Sequence, residues 1–161
     1  MVGVCEEFIY NALVTGSADV YDIERTSNLY APSEDVLMYA IDKTREWLNS
    51  STSYILGEAL NTYTNGDISK VSSVFDIQSY RIRLGARNEM QRMYNIGYIA
   101  AGRMLGYTQF LIDSSESDSD GVCKQHEGKA YVIDGNVGWD DVPPGYMTHP
   151  LCTCKIRLQK G

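Results

Sequence analysis

The sequence predicts an α+β fold, in which a mainly helical N-terminal part is followed by a small β lobe stapled by a zinc site. Three observations support this prediction. Apolar residues recur at helical spacing through most of residues 34–105, and short β-branched and aromatic runs follow residue 106. Three of the four cysteines and both histidines lie after residue 122. A chain of 161 residues is long enough to bury a core as one domain.

The first half of the chain predicts two helices. Residues 3–14 form a short helix that is expected to end near Gly16, and residues 17–33 are expected to be irregular. Ser33 is a start signal for the second helix, because its hydroxyl can cap the first turn and two acidic residues follow it. This second helix is expected to run to about residue 62.

Two further helices are predicted before the strands. Asp67 follows an Asn-Gly turn and is expected to cap a short helix that ends at Phe75. Residues 77–105 are the strongest helix prediction, and Gly106 is expected to end that helix. Its apolar stripe consists of Ala86, Met90, Met93, Gly97, Ala101 and Met104. Small residues on this helix predict close packing against another element; they are Gly97, Ala100, Ala101 and Gly102.

The C-terminal region predicts three short strands and a metal site. Residues 107–112, 130–133 and 155–158 have strand-like composition and are expected to form a small sheet beside that site. Between the strands the chain is rich in Asp, Ser and Gly, so the segment buries too little apolar surface to offset its ordering entropy. A structural zinc ion contributes on the order of 10 kcal/mol in small peptides, which would stabilise such a lobe.

The candidate zinc ligands form two pairs about two dozen residues apart. Cys123-x-x-His126 is the first pair, and His149-Pro-x-Cys152-x-Cys154 contains the second. Cysteine and histidine in two such pairs are typical of structural zinc sites. Cys123, His126 and Cys152 are the firmest ligands, and the fourth is either His149 or Cys154. A disulfide within this set and free thiols without metal are the alternatives.

A calcium site and a catalytic zinc site are the alternatives to structural zinc. Residues 116–127 nearly satisfy the calcium loop of an EF-hand, but an EF-hand needs a helix on each side and the flanking runs predict strands. A zinc-dependent DNA nuclease would need a histidine as general base. The chain has only two histidines, and both belong to the proposed zinc shell.

Charge is distributed unevenly along the chain. The net charge is −7, with four Lys and Arg against twelve Asp and Glu in residues 1–76. Residues 77–105 are basic, with Glu89 as the one acidic residue among Arg81, Arg83, Arg87, Arg92 and Arg103. This segment is either a surface for an acidic protein or nucleic acid, or a solvated helix face with one internal ion pair. No signal peptide or membrane segment is predicted, so synthesis in the cytosol is expected.

An ordered set of motifs resembles a known family. The set comprises Arg87-Asn88-Glu89, Tyr94-Asn95-x-Gly97, a strand, Cys123-x-x-His126, Gly128-Lys129-x-Tyr131, Pro143-Pro144 and His149-Pro-x-Cys-x-Cys154. In this order they resemble the phage Mu F-like minor head proteins, also called phage head morphogenesis proteins. The family pattern has cysteine where this chain has His126, and a basic residue where it has Thr153.

The resemblance covers residues 66–158 and sets the predicted domain division. Residues 1–65 are a helical N-terminal region that matches only as generic helices. Residues 66–161 are the minor head core, with the long helix at 77–105 and the Cys/His zinc lobe at 113–161.

The resemblance implies a non-catalytic virion component with structural zinc. Such proteins are associated with the portal vertex in several copies, and they act in head morphogenesis, DNA packaging or DNA ejection. The implied partners are the portal protein and other head proteins, with possible contact to packaged DNA. Arg87 and Glu89 are expected to form a helix-surface pair or to brace the zinc lobe, and Asn95 and Gly97 are expected to be structural or interaction residues.

Overall fold

The computed structural model describes residues 2–24, 32–113, 124, 126–133 and 155–161. Within these ranges the fold is mainly helical with one small antiparallel sheet, which confirms the α+β prediction. None of the described helices combines the length and apolarity that a membrane span requires. The elements are α1 (Val2–Glu24), α2 (Glu34–Thr64), a 3₁₀ turn (Ile68–Lys70), α3 (Val71–Met104), β1 (Gln109–Asp113), β2 (Ala130–Val132) and β3 (Lys155–Gln159).

Helix α1 is longer than the sequence predicts. The predicted end near Gly16 is wrong, because the helix continues through this glycine to Glu24. The irregular backbone predicted for residues 17–33 is therefore also wrong for residues 17–24. Gly16 lies against the backbone of α3, where an added Cβ would overlap the Tyr94 carbonyl oxygen. This packing offsets the low helix propensity of glycine.

Helix α2 begins where the sequence predicts. The Ser33 side chain accepts a hydrogen bond from the backbone N–H of Val36 at 3.4 Å, so the predicted cap is confirmed. The helix ends at Thr64, close to the predicted end. Gly66 follows in the turn with a φ of +83°, a conformation that favours glycine.

Helix α3 combines two predicted helices into one. The separate short helix ending at Phe75 is wrong, because α3 starts at Val71 and is continuous to Met104. Asp67 precedes the 3₁₀ turn without a side-chain cap, and its carboxylate instead accepts from the Lys70 ammonium at 3.1 Å. Gly106 ends the helical region with a φ of +81°, as predicted.

The main core lies where α1 and the N-terminal half of α2 pack against the C-terminal half of α3. Its buried apolar side chains are Ile9, Ala12, Leu13, Val20, Val36, Ala40, Ile41, Met93, Ile96, Ala100 and Ala101. The predicted α3 stripe is correct only in part, since Ala86, Met90 and Met104 are exposed. The predicted close packing is confirmed, because a Cβ on Gly97 would overlap the Leu13 carbonyl and one on Gly102 would overlap the Leu158 side chain.

The sheet has the strand order β2-β1-β3, and both outer strands run antiparallel to β1. All three predicted strands are confirmed within one to two residues. Phe110 lies opposite Tyr131 on one side and Leu158 on the other. Phe110 and Ile112 are buried, so alternate residues of β1 face the interior.

Candidate metal centre

The sheet topology brings two separate parts of the sequence to one edge. Because β2 and β3 are both antiparallel to β1, both begin beside the end of β1. Ile112 of β1 pairs with Ile156 of β3 and forms a bridge with Glu127 on its other side. Adjacent strands lie about 4.8 Å apart, so Glu127 and Ile156 are separated by roughly 10 Å across β1.

His126 is held at this edge by a turn and an aromatic partner. The Gly128 N–H donates to the Ile112 carbonyl at 3.2 Å, and Gly128 has a φ of +68°. The His126 Nδ1 lies 2.7 Å from the Tyr131 hydroxyl, which is within hydrogen-bond distance. The Tyr131 ring stacks on the buried Phe110 ring with centroids 5.3 Å apart. The orientation of His126 is therefore linked to the core of the sheet.

This geometry suits a histidine that binds a metal through its other nitrogen. Burial raises the pKa of the Tyr131 hydroxyl, and its oxygen can still accept a hydrogen bond in the neutral form. In the tautomer whose Nδ1–H donates to the Tyr131 oxygen, the Nε2 lone pair of His126 is free to bind a metal. Metal-binding histidines usually hydrogen-bond through the second ring nitrogen, which fixes the tautomer and the ring orientation.

The other predicted zinc ligands lie outside the described residues. They are Cys123, His149, Cys152 and Cys154. Among the residues that the structure describes, no group of three or more His, Cys, Asp or Glu side chains is close enough to hold a metal ion. The zinc set therefore stays a prediction, with His126 the member whose surroundings are known.

The strands on both sides of segment 116–127 argue against the calcium alternative. An EF-hand loop joins two helices. The segment 116–127 instead follows the strand β1 and precedes the strand β2. This agrees with the strand prediction from the sequence, although most of the segment itself lies outside the described residues.

Glu89 on α3 has a different partner from the one that the sequence predicts. Glu89 pairs with Arg92 through Oε2 and Nε at 3.6 Å, instead of with Arg87, which is exposed. Residues two apart on a helix point in different directions, whereas residues three apart are neighbours. Burial raises the pKa of the Glu89 carboxyl, and the Arg92 charge opposes this shift. Glu89 Oε2 and the Nε and Nη2 atoms of Arg92 are buried without a hydrogen bond.

Asn95 and Gly97 have structural positions in the helix packing. Asn95 is buried, and its side-chain oxygen accepts from the Gln91 amide at 3.2 Å. Gly97 contacts α1 through its backbone, and its carbonyl accepts from the buried Ser17 hydroxyl at 3.1 Å. The Gly97 contacts join α1 to α3, and the Asn95 contact lies within α3, so both residues act in the fold of the helical part.

The basic segment of α3 is mostly exposed. Arg81, Arg83, Arg87 and Arg103 face solvent, and Arg92 forms the ion pair with Glu89. One internal ion pair on a solvated face is the simpler of the two sequence interpretations.

Sequence reasoning missed two residues of these sites. Tyr131 was identified as part of a strand motif, and its contact with His126 follows from the turn at Gly128. Arg92 could have been found from its three-residue spacing to Glu89.

The chain matches no protein-family model, and no curated protein or solved structure shows significant similarity to it.

Proposed function

We propose that this chain is a phage minor head protein, a non-catalytic component of the portal vertex that acts in head morphogenesis, DNA packaging or DNA ejection. Its C-terminal lobe is stapled by structural zinc. The ordered motif set from Arg87 to Cys154 is the basis of this proposal. The observation that supports it best is the shared sheet edge. His126 stands four residues before β2, and Cys152 and Cys154 stand directly before β3, which begins at the same edge.

The donor chemistry fits zinc. Thiolate and imidazole are the usual ligands of structural zinc sites. His126 has Nε2 available when its Nδ1–H donates to the Tyr131 oxygen. Cys123 with His126, and Cys152 with His149 or Cys154, would complete a four-ligand set that ties the two long connections of the sheet together. The zinc would then stabilise the lobe and take no part in a reaction.

Elemental analysis of the purified chain tests the zinc staple. About one zinc per chain is expected in the wild type, and Cys152→Ser is expected to lose it and to melt at a lower temperature. Cys5→Ser is the matched control, because Cys5 is the one cysteine outside the proposed ligand set. Equal zinc content in wild type and Cys152→Ser would contradict the ligand assignment.

A milder variant tests how His126 is held. Tyr131→Phe removes the hydroxyl next to His126 and keeps the ring that stacks on Phe110. Zinc affinity is expected to fall about 10-fold, which is the lower end of the effect of losing a residue that orients a metal ligand. Competition with a chelator of known affinity measures this change. An unchanged affinity would show that the Tyr131 hydroxyl does not orient His126 for zinc binding.

The assembly role is tested on the virus particle. Mass spectrometry of purified particles is expected to find the chain together with portal protein, in a few copies per particle. Absence from particles would contradict the proposal. Metal-dependent cleavage of plasmid DNA by the purified chain, abolished by the zinc-ligand variants, would instead favour a nuclease.

A further inference from the structure

The two long helices extend beyond the three-helix core as a hairpin arm, defined as residues 47–64 of α2 and 71–87 of α3. In the described part of the chain these two segments pack on each other, while α1 packs along the C-terminal half of α3. Ile55, Ala59 and Gln78 are buried along the arm, and the Trp47 ring lies against Gly85. At 1.5 Å per residue, the arm is roughly 25 Å long.

The arm and the turn that joins its two helices expose many large apolar side chains. Fifteen such side chains are exposed in the described residues, and nine of them lie between residues 54 and 82. Their exposed fractions range from 39% to 64%; they are Tyr54, Leu56, Leu60, Tyr63, Ile68, Phe75, Ile77, Tyr80 and Ile82. Exposed apolar side chains this concentrated mark an interaction surface more often than they mark free surface.

One side of the arm carries an apolar face, contributed by both helices. On α2, Leu56, Leu60 and Tyr63 recur at spacings of four and three residues and therefore form one stripe. On α3, Phe75, Ser79 and Ala86 recur at spacings of four and seven, with Ile82 next to them at the seam. The charged residues Asp76 and Arg83 border the α3 stripe, three residues before and four residues after Ser79.

A groove shows that the two stripes lie on the same side. Trp47 and Tyr54 of α2 and Arg81 and Ile82 of α3 line an open groove at the seam between the helices. By helix geometry, the α2 stripe points away from Trp47 and Tyr54, and Phe75 lies on the other side of the seam from Arg81. The α2 stripe and Phe75 therefore lie opposite the groove, and Ile82 borders it.

We propose that this apolar face is a self-association surface, on which a second copy of the chain packs to form a four-helix bundle. Two helices that present stripes on one side are what each half of such a bundle needs. A two-fold axis places equivalent residues near each other, and the stripe residues themselves carry no charge that would repel in that arrangement. Nucleic acid fits the centre of the face less well, because that centre is apolar and its nearest cation, Arg83, stands at the border.

The large apolar side chains of the face supply about half of the area that a dimer interface needs. Leu56, Leu60, Tyr63 and Phe75 expose roughly 100 Å² each, or about 400 Å² together. The small and polar residues between them extend the covered area towards the roughly 800 Å² per partner of a stable interface. This proposal does not depend on the zinc lobe or on the proposed viral function.

Sedimentation equilibrium of the full chain under reducing conditions tests the proposal. Dimers are expected within about 1–100 µM, a range suited to an interface of this size. Leu60→Glu places a charge at a 63% exposed position of the face, and Met104→Glu places one at a 66% exposed position outside the arm. Leu60→Glu is expected to weaken the dimer at least about 100-fold, since both copies carry the charge, while Met104→Glu leaves it unchanged.

Two outcomes would overturn the proposal. A wild-type chain that stays monomeric over the whole concentration range would exclude self-association. A dimer that survives both Leu60→Glu and Phe75→Glu would place the contact elsewhere. Circular dichroism verifies that each variant keeps its helices, and a repeat with a zinc chelator separates the arm from the zinc lobe. Dimerisation that persists with chelator, and is lost in Leu60→Glu, supports the arm.

Discussion

The three-helix end and the hairpin arm are formed by the same two long helices, yet they bury very different shares of their apolar side chains. In the three-helix end, α1 packs closely on α3, because Gly16 lies against the backbone of α3 and Gly97 against the backbone of α1. Leu13, Met93 and Ile96 are fully buried there. In the arm, Ile55 and Ala59 are the apolar residues with less than a tenth of their surface exposed. A two-helix hairpin cannot enclose a core, since each helix has one neighbour. A further partner, as proposed for the arm, would bury the apolar face that the hairpin leaves exposed.

Alanine substitution of one glycine in each region should give the largest difference in the free energy of unfolding. Gly97→Ala places a methyl group against the Leu13 carbonyl, and we expect it to destabilise the fold by about 3 kcal/mol. Gly57 in the arm has no atom within 4 Å of an added Cβ. We expect Gly57→Ala to stabilise the fold by about 0.5–1 kcal/mol. Urea denaturation measures both values, and similar effects would contradict the close contact of α1 with α3.

Truncation of one isoleucine in each region sharpens the comparison. Ile96 is fully buried in the three-helix end, and Ile55 is 9% exposed in the arm. We expect Ile96→Ala to cost about 4 kcal/mol and Ile55→Ala about 2 kcal/mol, because fewer side chains surround the second cavity. Thermal unfolding at two protein concentrations checks this. A cost for Ile55→Ala equal to that for Ile96→Ala would mean that the arm is as well covered as the core.

The Glu89–Arg92 pair lies where the arm joins the three-helix end. Glu89→Leu leaves the Arg92 charge partly buried without a counter-ion, and we expect a loss of about 1–2 kcal/mol after allowing for solvent screening. Glu89→Leu combined with Arg92→Leu should return to within about 0.5 kcal/mol of wild type, because no buried charge remains. A double variant clearly less stable than wild type would show that the pair is net stabilising.

The same pair predicts a pH dependence. Burial raises the pKa of Glu89 above its ordinary value of 4.5 in the folded chain, so the folded state holds this proton more tightly than the unfolded state. Stability should therefore fall as the pH rises from the unfolded pKa through the folded one. Unfolding measured from about pH 4 to pH 7 should show a smaller decline in the double variant than in wild type.

The smallest expected effect concerns the contact of Tyr94 with α1. The Tyr94 hydroxyl donates to the Asp19 carboxylate, and Tyr94→Phe should cost about 1 kcal/mol at neutral pH. Burial and this hydrogen bond raise the pKa of Tyr94 above its ordinary value of 10. Its contribution is therefore complete below about pH 10 and lost as the pH rises further. Unfolding at about pH 9 and pH 11 should show a smaller alkaline loss in Tyr94→Phe than in wild type.

The sequence by itself determined the features that depend on neighbouring residues. The Ser33 cap, the end of α3 before Gly106 and the three strands follow from local hydrogen bonding, backbone conformation and side-chain shape. The same local reading identified His126 as a candidate ligand, because its spacing to Cys123 is a property of the chain alone.

Only the tertiary structure decided the features that depend on distant contacts. Helix α1 continues past Gly16 because α3 packs against that glycine, which local propensity cannot reveal. The partner of His126 and the shared edge of β2 and β3 depend on strand pairing, which joins residues far apart in sequence. Helical periodicity also did not predict which apolar side chains of the arm are exposed. Periodicity shows that a helix has an apolar side, but burial depends on whether another element lies close enough to cover it.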